Sequence, residues 1–255
     1  MPTPGTPAWI EAPTGDPDQT RDFYTGLFGW TYTDAYEGYS VAMSDGEPVA
    51  GFYPPSAEPT PPGWLFYLHT ADLARTSERL AELGAKTVMG PLEIPGTGHV
   101  QLVHDPAGAV VGFWQATSDT VLATGRPGAL AWQEVNTRDA AATDAFYGAL
   151  FPYEERQLGD GEALDYKVWS LGGEEVAGRL RMGPEFPPDL QPHWMLYFGV
   201  TPEVGTDKAA ERVTALGGTV GVEPFDSPYG RIAVVRDPYG STFSLVDMSR
   251  TTPDA

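Results

Sequence analysis

The sequence predicts an α+β fold in which four βαβββ modules form a tandem duplication. An aromatic segment that opens with Trp9-Ile10-Glu11 returns 123 residues later as Trp132-Gln133-Glu134. Each half ends with an Asp-Pro-x-Gly turn, at 105–108 and at 237–240. Proline-rich stretches divide both halves at the same place, and proline neither donates to a β ladder nor continues a helix. Four similar modules are therefore expected.

Local signals within a module give the order of its elements. Residues 9–14 alternate as a strand does, Asp16 or Asp18 can cap the next helix, and the helical residues 23, 24, 27 and 28 share one face. Two short strands, 39–43 and 49–53, follow around the turn Asp45-Gly46. In the second module the same order is predicted as strand 65–70, helix 72–83 closed by Gly84, and strands near 86–89, 99–104 and 110–115.

The predicted domain boundaries follow from composition. We expect a first domain over 8–117, a linker over 118–129 and a second domain over 130–249, with module boundaries inside 54–62, 116–129 and 184–192. The linker region is small, polar and contains glycine, which is typical of a connection between compact units.

Composition and charge restrict the class of partner. Apolar residues make up 41% and charged residues 20% of the chain, as in a globular protein. There is no cysteine, which excludes disulfides and thiolate chemistry. A net charge of −20 disfavours nucleic acid and anionic membranes. The first residues lack the pattern of a signal peptide, so we expect a cytoplasmic protein, monomeric or homodimeric, with a small-molecule ligand.

These motifs resemble the vicinal oxygen chelate superfamily, which includes glyoxalases, bleomycin-resistance proteins and extradiol dioxygenases. The resemblance rests on Asp16, Phe23-Tyr24, Leu27-Phe28-Gly29 and the two Asp-Pro-x-Gly turns, and it extends from Trp9 to about Met248. It implies that paired modules form curved mixed-sheet cups, with helices outside and a ligand inside. One fold that hosts lyases, dioxygenases and metal-free antibiotic binders does not by itself specify a reaction.

The same resemblance implies where metal ligands would stand. Metal-dependent members carry His, Gln or Glu in the first strand of a module and in the strand after the Asp-Pro-x-Gly turn. The corresponding residues here are Trp9, Leu65 (or Trp64), Gly112, Trp132, Met195 and Ser244. Apart from the serine, none offers a lone pair suited to a hard divalent cation. We therefore predict no metal and no cofactor.

Alternation along the strands predicts which side chains face each cup. The first cup is expected to hold Trp9, Glu11, Tyr67, His69 and Trp114, if the first two modules pair with each other. The second is expected to hold Trp132, Glu134, Asn136, Met195, Tyr197 and Ser244, with Gly199 at the position of His69. We assign Glu11, His69 and Tyr67 as catalytic candidates and Trp9, Trp114, Trp132, Glu134, Asn136, Tyr197 and Ser244 as substrate-binding candidates.

Each of these residues also has a purely structural interpretation. The tryptophans can be core residues, a glutamate can serve only to accept a hydrogen bond from a backbone N–H or a neighbouring tyrosine hydroxyl, and a lone histidine can stand in water. Arg231 stands where the first half has His99. It can bind a substrate oxygen, or it can only pair with an acidic residue at the surface. Which modules pair into a cup stays open at this point.

Two main functions remain. The first is metal-free binding or conversion of an aromatic, largely apolar metabolite, in a natural-product pathway or in antibiotic resistance. The alternative is a metal-dependent lyase or dioxygenase of the same superfamily, for which too few ligands are present. As an enzyme, the protein would be a glyoxalase-like lyase, hydroxylase or dioxygenase. A third possibility is that only one half binds a ligand.

Overall fold

The computed structural model describes residues 2–36, 38–54, 63–117 and 121–251. It contains the predicted βαβββ order four times, so the tandem duplication is confirmed. The proposed module boundaries within 55–62 and 118–120 lie outside the described residues. In the part of the chain that the structure covers, no helix is long and apolar enough to cross a membrane.

The first half contains eight strands and two helices. The strands are β1 (Pro7–Pro13), β2 (Thr31–Tyr36), β3 (Tyr39–Ser44), β4 (Glu47–Tyr53), β5 (Leu65–His69), β6 (Lys86–Ile94), β7 (Gly98–His104) and β8 (Val110–Ala116). The helices are α1 (Pro17–Phe28), after β1, and α2 (Leu73–Glu82), after β5.

The second half repeats these elements. Its strands are β9 (Leu130–Thr137), β10 (Glu154–Leu158), β11 (Tyr166–Leu171), β12 (Glu174–Arg181), β13 (His193–Gly199), β14 (Thr219–Ser227), β15 (Gly230–Arg236) and β16 (Thr242–Asp247). Its helices are α3 (Ala140–Leu150) and α4 (Gly205–Ala215), and a 3₁₀ turn (Met248–Arg250) follows β16.

Aspartates begin three of the four helices, as the sequence predicts for the first. The carboxylate of Asp16 accepts hydrogen bonds from the amides of Asp18 and Gln19, each at 3.1 Å. Asp72 and Asp139 cap α2 and α3 in the same way, while α4 has no side-chain cap. These bonds satisfy amides that have no partner within the first turn of a helix.

Both halves form an eight-stranded mixed sheet with the same strand order. The first sheet runs β2-β3-β4-β1-β5-β8-β7-β6 and the second β10-β11-β12-β9-β13-β16-β15-β14. In every module the first and last strands are parallel, as in β1 with β4 and β5 with β8. The remaining pairs within a module are antiparallel hairpins.

The compact units do not coincide with the two halves of the sequence. One unit comprises Met1–Trp9, Leu65–Val121 and Gln133–Met195, and therefore combines the second and third modules. The other comprises Ile10–Trp64, Leu122–Trp132 and Leu196–Ala255, and combines the first module with the fourth. We call them the 2–3 unit and the 1–4 unit. Each sheet thus contributes one of its modules to each unit.

Each unit has an aromatic core on the helix side of its strands. In the 2–3 unit Phe66 packs against Trp194, with ring centroids 4.5 Å apart, and Trp194 donates a hydrogen bond to Tyr147 at 3.1 Å. In the 1–4 unit Tyr24 stacks on Trp30 at 5.1 Å, and Trp64 packs against Phe198 at 5.2 Å. Trp64 and Trp194 are therefore core residues, one of the two interpretations that the sequence left open.

Candidate functional site

Contacts with the helices show which face of each sheet the predicted site residues occupy. In the 1–4 unit Tyr24 of α1 packs against Phe52, which pairs with Ala12 in the parallel ladder. Ala12 therefore belongs to the helix side, and Glu11, one residue away, lies on the opposite face. We call that opposite face of each sheet its open face.

The 2–3 unit gives the same register. Gln115 accepts a hydrogen bond at 2.7 Å from the amide of Leu73, the first residue of α2, so Trp114 belongs to the open face. Arg179 binds Asp144 of α3 and pairs with Val135, so Glu134 and Asn136, which flank Val135, also belong to the open face. The predicted strand register is confirmed, whereas the catalytic and binding roles of these residues stay predictions.

Three aromatic residues of the 2–3 unit form an aromatic cluster on the open face. The rings of Trp9 and Trp114 lie edge to face with centroids 5.8 Å apart, and those of Tyr67 and Trp114 do so at 6.1 Å. Trp9 and Tyr67 are buried, while Trp114 is partly exposed. The indole N–H of Trp114 is buried and has no hydrogen-bond partner among the described residues. The cluster is therefore a packed group of rings in which Trp114 is the partly exposed member and its N–H is a donor without a partner among the described residues.

His69 belongs to the same face as the aromatic cluster. It lies two residues beyond Tyr67 on β5 and pairs with Trp114 in the ladder. Only 6% of its surface is exposed. Burial lowers the pKa of His69 to about 4, because a charged imidazole is poorly solvated there. The ring is therefore neutral at pH 7, which makes it a weak base and suits it to accept a hydrogen bond rather than to carry a charge.

Tyr67 occupies the space in which a metal ligand of the first sheet would stand. Gly112, at the family's ligand position, pairs with Tyr67, whose ring lies across the glycine. A Cβ atom added at Gly112 would stand 2.5 Å from Cε1 and 2.6 Å from Cγ of Tyr67, closer than real Cβ contacts. Trp9 and Leu65 stand at the other positions of this half that the family resemblance assigns to ligands. The residues at these three positions do not fit a metal. The described residues contain no group of three or more His, Cys, Asp or Glu that could hold one.

Glu11 is held by a tyrosine that sequence reasoning missed. The hydroxyl of Tyr39 donates a hydrogen bond to Oε2 of Glu11 at 2.8 Å, and the ring of Tyr36 stacks on Tyr39 with centroids 4.7 Å apart. Burial, reinforced by the negative charge of Glu11, raises the pKa of Tyr36 to about 12. Tyr39 and Tyr166 are separated by the same 127 residues as Gly51 and Gly178, a repeat signal that could have revealed this pair.

The second sheet has a related arrangement around Glu134. Gly178 pairs with Glu134, and a Cβ atom added at Gly178 would clash with the hydroxyl of Tyr166 and stand 3.2 Å from Cβ of Glu134. The glycine thus lets Tyr166 extend over β12 toward Glu134. Asn136 lies two residues further along β9, and its Nδ2 is 3.3 Å from Nε2 of His193, a contact that sequence reasoning also missed.

The other candidates of the second half lie in the 1–4 unit. Trp132 is half-buried, and Tyr197 pairs with Ser244, whose buried Oγ has no hydrogen-bond partner among the described residues. Gly199, at the position of His69, is approached closely by the linker backbone, since an added Cβ would stand 2.8 Å from the carbonyl oxygen of Arg126. Main chain therefore takes the place of the imidazole in this half.

Arg231 is bound to surface acids. Its guanidinium donates to the carboxylate of Asp207 at 2.6 and 2.8 Å and to Asp226 at 3.1 Å. His99, its counterpart, pairs with Gln115 and so belongs to the helix side. The described contacts of Arg231 are therefore those of a surface ion pair, which is one of the two roles that the sequence left open for this position.

The 1–4 unit has a surface groove with a volume of about 700 Å³. The groove borders Gly199 but contains none of the predicted site residues. It is lined by Thr25, Gly29, Arg126 and Arg212 among others. Arg126 already binds Asp45 and Glu47, so its charge is largely compensated. The groove offers no group with distinctive chemistry.

The duplicated βαβββ architecture, with its polar and aromatic candidates opposite the helices, is that of vicinal oxygen chelate proteins. Residues 6–113 match the profile of the glyoxalase/bleomycin resistance protein/dioxygenase superfamily, and residues 132–246 match that of a glyoxalase-like domain. The chain belongs to this superfamily.

Related proteins of similar length support this assignment. The anthracycline biosynthesis protein DnrV of Streptomyces peucetius is 33% identical over 99% of this chain and 96% of its own length. CFP32 of Mycobacterium tuberculosis, which carries a provisional glyoxylase label, is 34% identical over 95% of this chain and 94% of its own. The 2,3-dioxygenase LapB of Pseudomonas sp. KL28 shares the fold, with a TM-score of 0.66 at 16% identity, over 100% of this chain and 96% of LapB.

Proposed function

We propose that this protein binds a flat, largely aromatic small molecule on the aromatic cluster of its first sheet, and that it does so without a metal. The single observation that carries the proposal is the ring of Tyr67 lying across Gly112. An aromatic surface occupies the place where metal-dependent relatives need a ligand, so this position contributes to recognition by ring contacts.

The chemistry of the cluster supports this ligand class. Edge-to-face packing fixes the three rings, so little conformational entropy is lost when a further ring packs against them. The unpaired indole N–H of Trp114 can donate to a carbonyl or phenol oxygen of the ligand. The neutral imidazole of His69 on the same face can accept from a ligand hydroxyl. Polar groups that are few and fixed are typical of small-molecule sites.

The named role of DnrV agrees with a polycyclic aromatic ligand. Its name places it in anthracycline biosynthesis, and anthracyclines are polycyclic aromatic compounds. The present chain covers almost the whole of that relative. This similarity supports a role for the protein in the biosynthesis or handling of an aromatic natural product.

Binding of 1,8-dihydroxyanthraquinone, followed by tryptophan fluorescence and calorimetry, tests the proposal. Replacing Trp114 with Leu should weaken binding by about tenfold, since a ring contact and a hydrogen bond are lost together. Gln115→Leu is the matched control, because its side chain lies on the same strand but on the helix side. Trp114→Phe retains a ring and should lose less affinity, and circular dichroism verifies that each variant folds.

A separate experiment tests whether binding needs a metal. After dialysis against a chelator, elemental analysis should find no stoichiometric transition metal, and affinity for the anthraquinone should not change. Equal loss of affinity in Trp114→Leu and Gln115→Leu would contradict the assigned surface. A metal near one equivalent whose removal abolishes binding would favour the metal-dependent alternative.

A further inference from the structure

The second sheet carries a buried hydrogen-bond acceptor that none of the described residues donates to. Asn136 is only 3% exposed, and its Oδ1 has no hydrogen-bond partner among the described residues. A buried amide oxygen without a donor costs about 1–3 kcal/mol, so such atoms are rare unless a ligand or water completes them. The atom therefore indicates a missing donor.

His193 fixes the orientation of this amide. Its Nδ1 lies 2.8 Å from the carbonyl oxygen of Gln191, which can only accept, so Nδ1 carries the proton. Burial lowers the pKa of His193, so the ring is neutral and Nε2 is an acceptor. The neighbouring group of Asn136 at 3.3 Å must then be the donor Nδ2, which leaves Oδ1 as the unused acceptor.

A second acceptor lies on the same open face of the 2–3 unit. Glu134, buried to 4% exposure, precedes Asn136 by two residues on β9, and Tyr166 extends toward Glu134 over Gly178. A carboxylate offers about four lone-pair positions, so it can accept from a ligand in addition to the partners that it already has. Tyr166 on β11 and His193 on β13 are partly exposed.

We infer that Glu134 and Asn136 bind a ligand through a protonated amine. An ammonium group has three donors and no acceptor, which matches one carboxylate and one amide oxygen, and its charge offsets that of the buried carboxylate. The net charge of −20 also raises the local concentration of cations. This acceptor site is made of residues of the second sheet and does not depend on the proposed aromatic site of the first.

The probe is the 2-phenylethylammonium ion, with 2-phenylethanol and 3-phenylpropionate as neutral and anionic analogues of similar shape. Calorimetry in about 0.15 M salt, where exposed charges are well screened, should rank the ammonium above the alcohol and the alcohol above the carboxylate. Glu134→Gln and Asn136→Leu should each weaken binding of the ammonium by about tenfold. Asn136→Asp retains an acceptor and adds a charge, so its affinity should be equal or greater.

A control variant separates the site from general attraction. Glu174→Gln removes an exposed charge at the start of β12, in the same sheet. It should not alter affinity by more than about twofold. If Glu174→Gln weakens binding as Glu134→Gln does, or if the ammonium and the alcohol bind equally, the inference is wrong. If Asn136→Leu and Asn136→Asp both bind as wild type, Oδ1 holds only a water, which also overturns it.

Discussion

Tyr24 of the first module donates a hydrogen bond to Asp237 of the fourth, at 3.0 Å and across 213 residues. Tyr147 of the third module makes the same bond to Asp105 of the second, at 3.1 Å and across 42 residues. Each aspartate also accepts amide hydrogen bonds within its own Asp-Pro-x-Gly turn. The two most recognisable motifs of the chain therefore meet each other inside each compact unit.

Replacing Tyr24 with Phe should destabilise the protein by about 1–3 kcal/mol at pH 7, since a buried carboxylate loses a donor. Burial raises the pKa of Asp237 and the bond from Tyr24 lowers it, so the variant has a higher pKa still. Protonation of Asp237 relieves this cost, so the difference in unfolding free energy from wild type should shrink as the pH falls through the raised pKa of the variant. Urea unfolding at several pH values measures this.

Tyr239→Phe is the control for this experiment, because its hydroxyl binds Gln19 at the surface while its amide still binds Asp237. It should change stability by less than about 0.5 kcal/mol. A loss in Tyr24→Phe that does not vary with pH would show that the bond to the carboxylate is not its cause.

His69 should make the folded protein sensitive to acid. Its pKa is about 4 in the folded state, below the usual value of 6.5, so the unfolded state binds more protons between these values. The stabilisation that this residue gives is complete above pH 6.5 and is lost as the pH falls toward 4, by up to about 3 kcal/mol. His69→Gln should flatten that part of the stability profile, whereas His104→Gln, at an exposed position, should leave it unchanged.

Arg179 should be the most costly ion-pair residue to remove. It is 1% exposed and binds Asp144 at 3.0 Å and Asp165 at 2.7 Å. Arg179→Met leaves both carboxylates without their buried cation, and we expect a loss of about 3–5 kcal/mol. Arg156→Met breaks an exposed ion pair with Glu175 and should cost less than about 1 kcal/mol. Equal melting temperatures for the two variants would refute this ranking.

An added methyl group at Gly112 should displace the ring of Tyr67. We expect Gly112→Ala to cost about 1–3 kcal/mol, because the ring cannot move without disturbing the aromatic cluster. In a Tyr67→Ala background, Gly112→Ala should lower the free energy of unfolding by less. A double-mutant cycle measures the coupling energy between the two positions. Gly148→Ala on α3 is the control: its new Cβ would meet only Glu155 at 3.9 Å and should stabilise the helix by about 0.5–1 kcal/mol.

Much of the site could be predicted because strand alternation is local. A period of two placed Glu11 and Trp114 on the open face of the first sheet and Glu134 and Asn136 on that of the second, and contacts with the helices confirm both faces. Tyr39 and His193 were not predicted, since they reach their partners across 28 and 57 residues. Nothing in the residues next to them specifies which carboxylate or amide they bind.

The sequence by itself determined the duplication, which is visible as a repeat at an offset of 123 residues. It also determined the βαβββ order and the open-face register, because these depend on turns, caps and periodicity within about ten residues. Only the tertiary structure decided which modules pack together. Asp105 and Asp237 lie in equivalent turns, so the chemistry of Tyr24 suits either one equally well. Packing of the helices and burial of the aromatic cores select the fourth module for the first and the second for the third, and this selection involves contacts far apart in the chain.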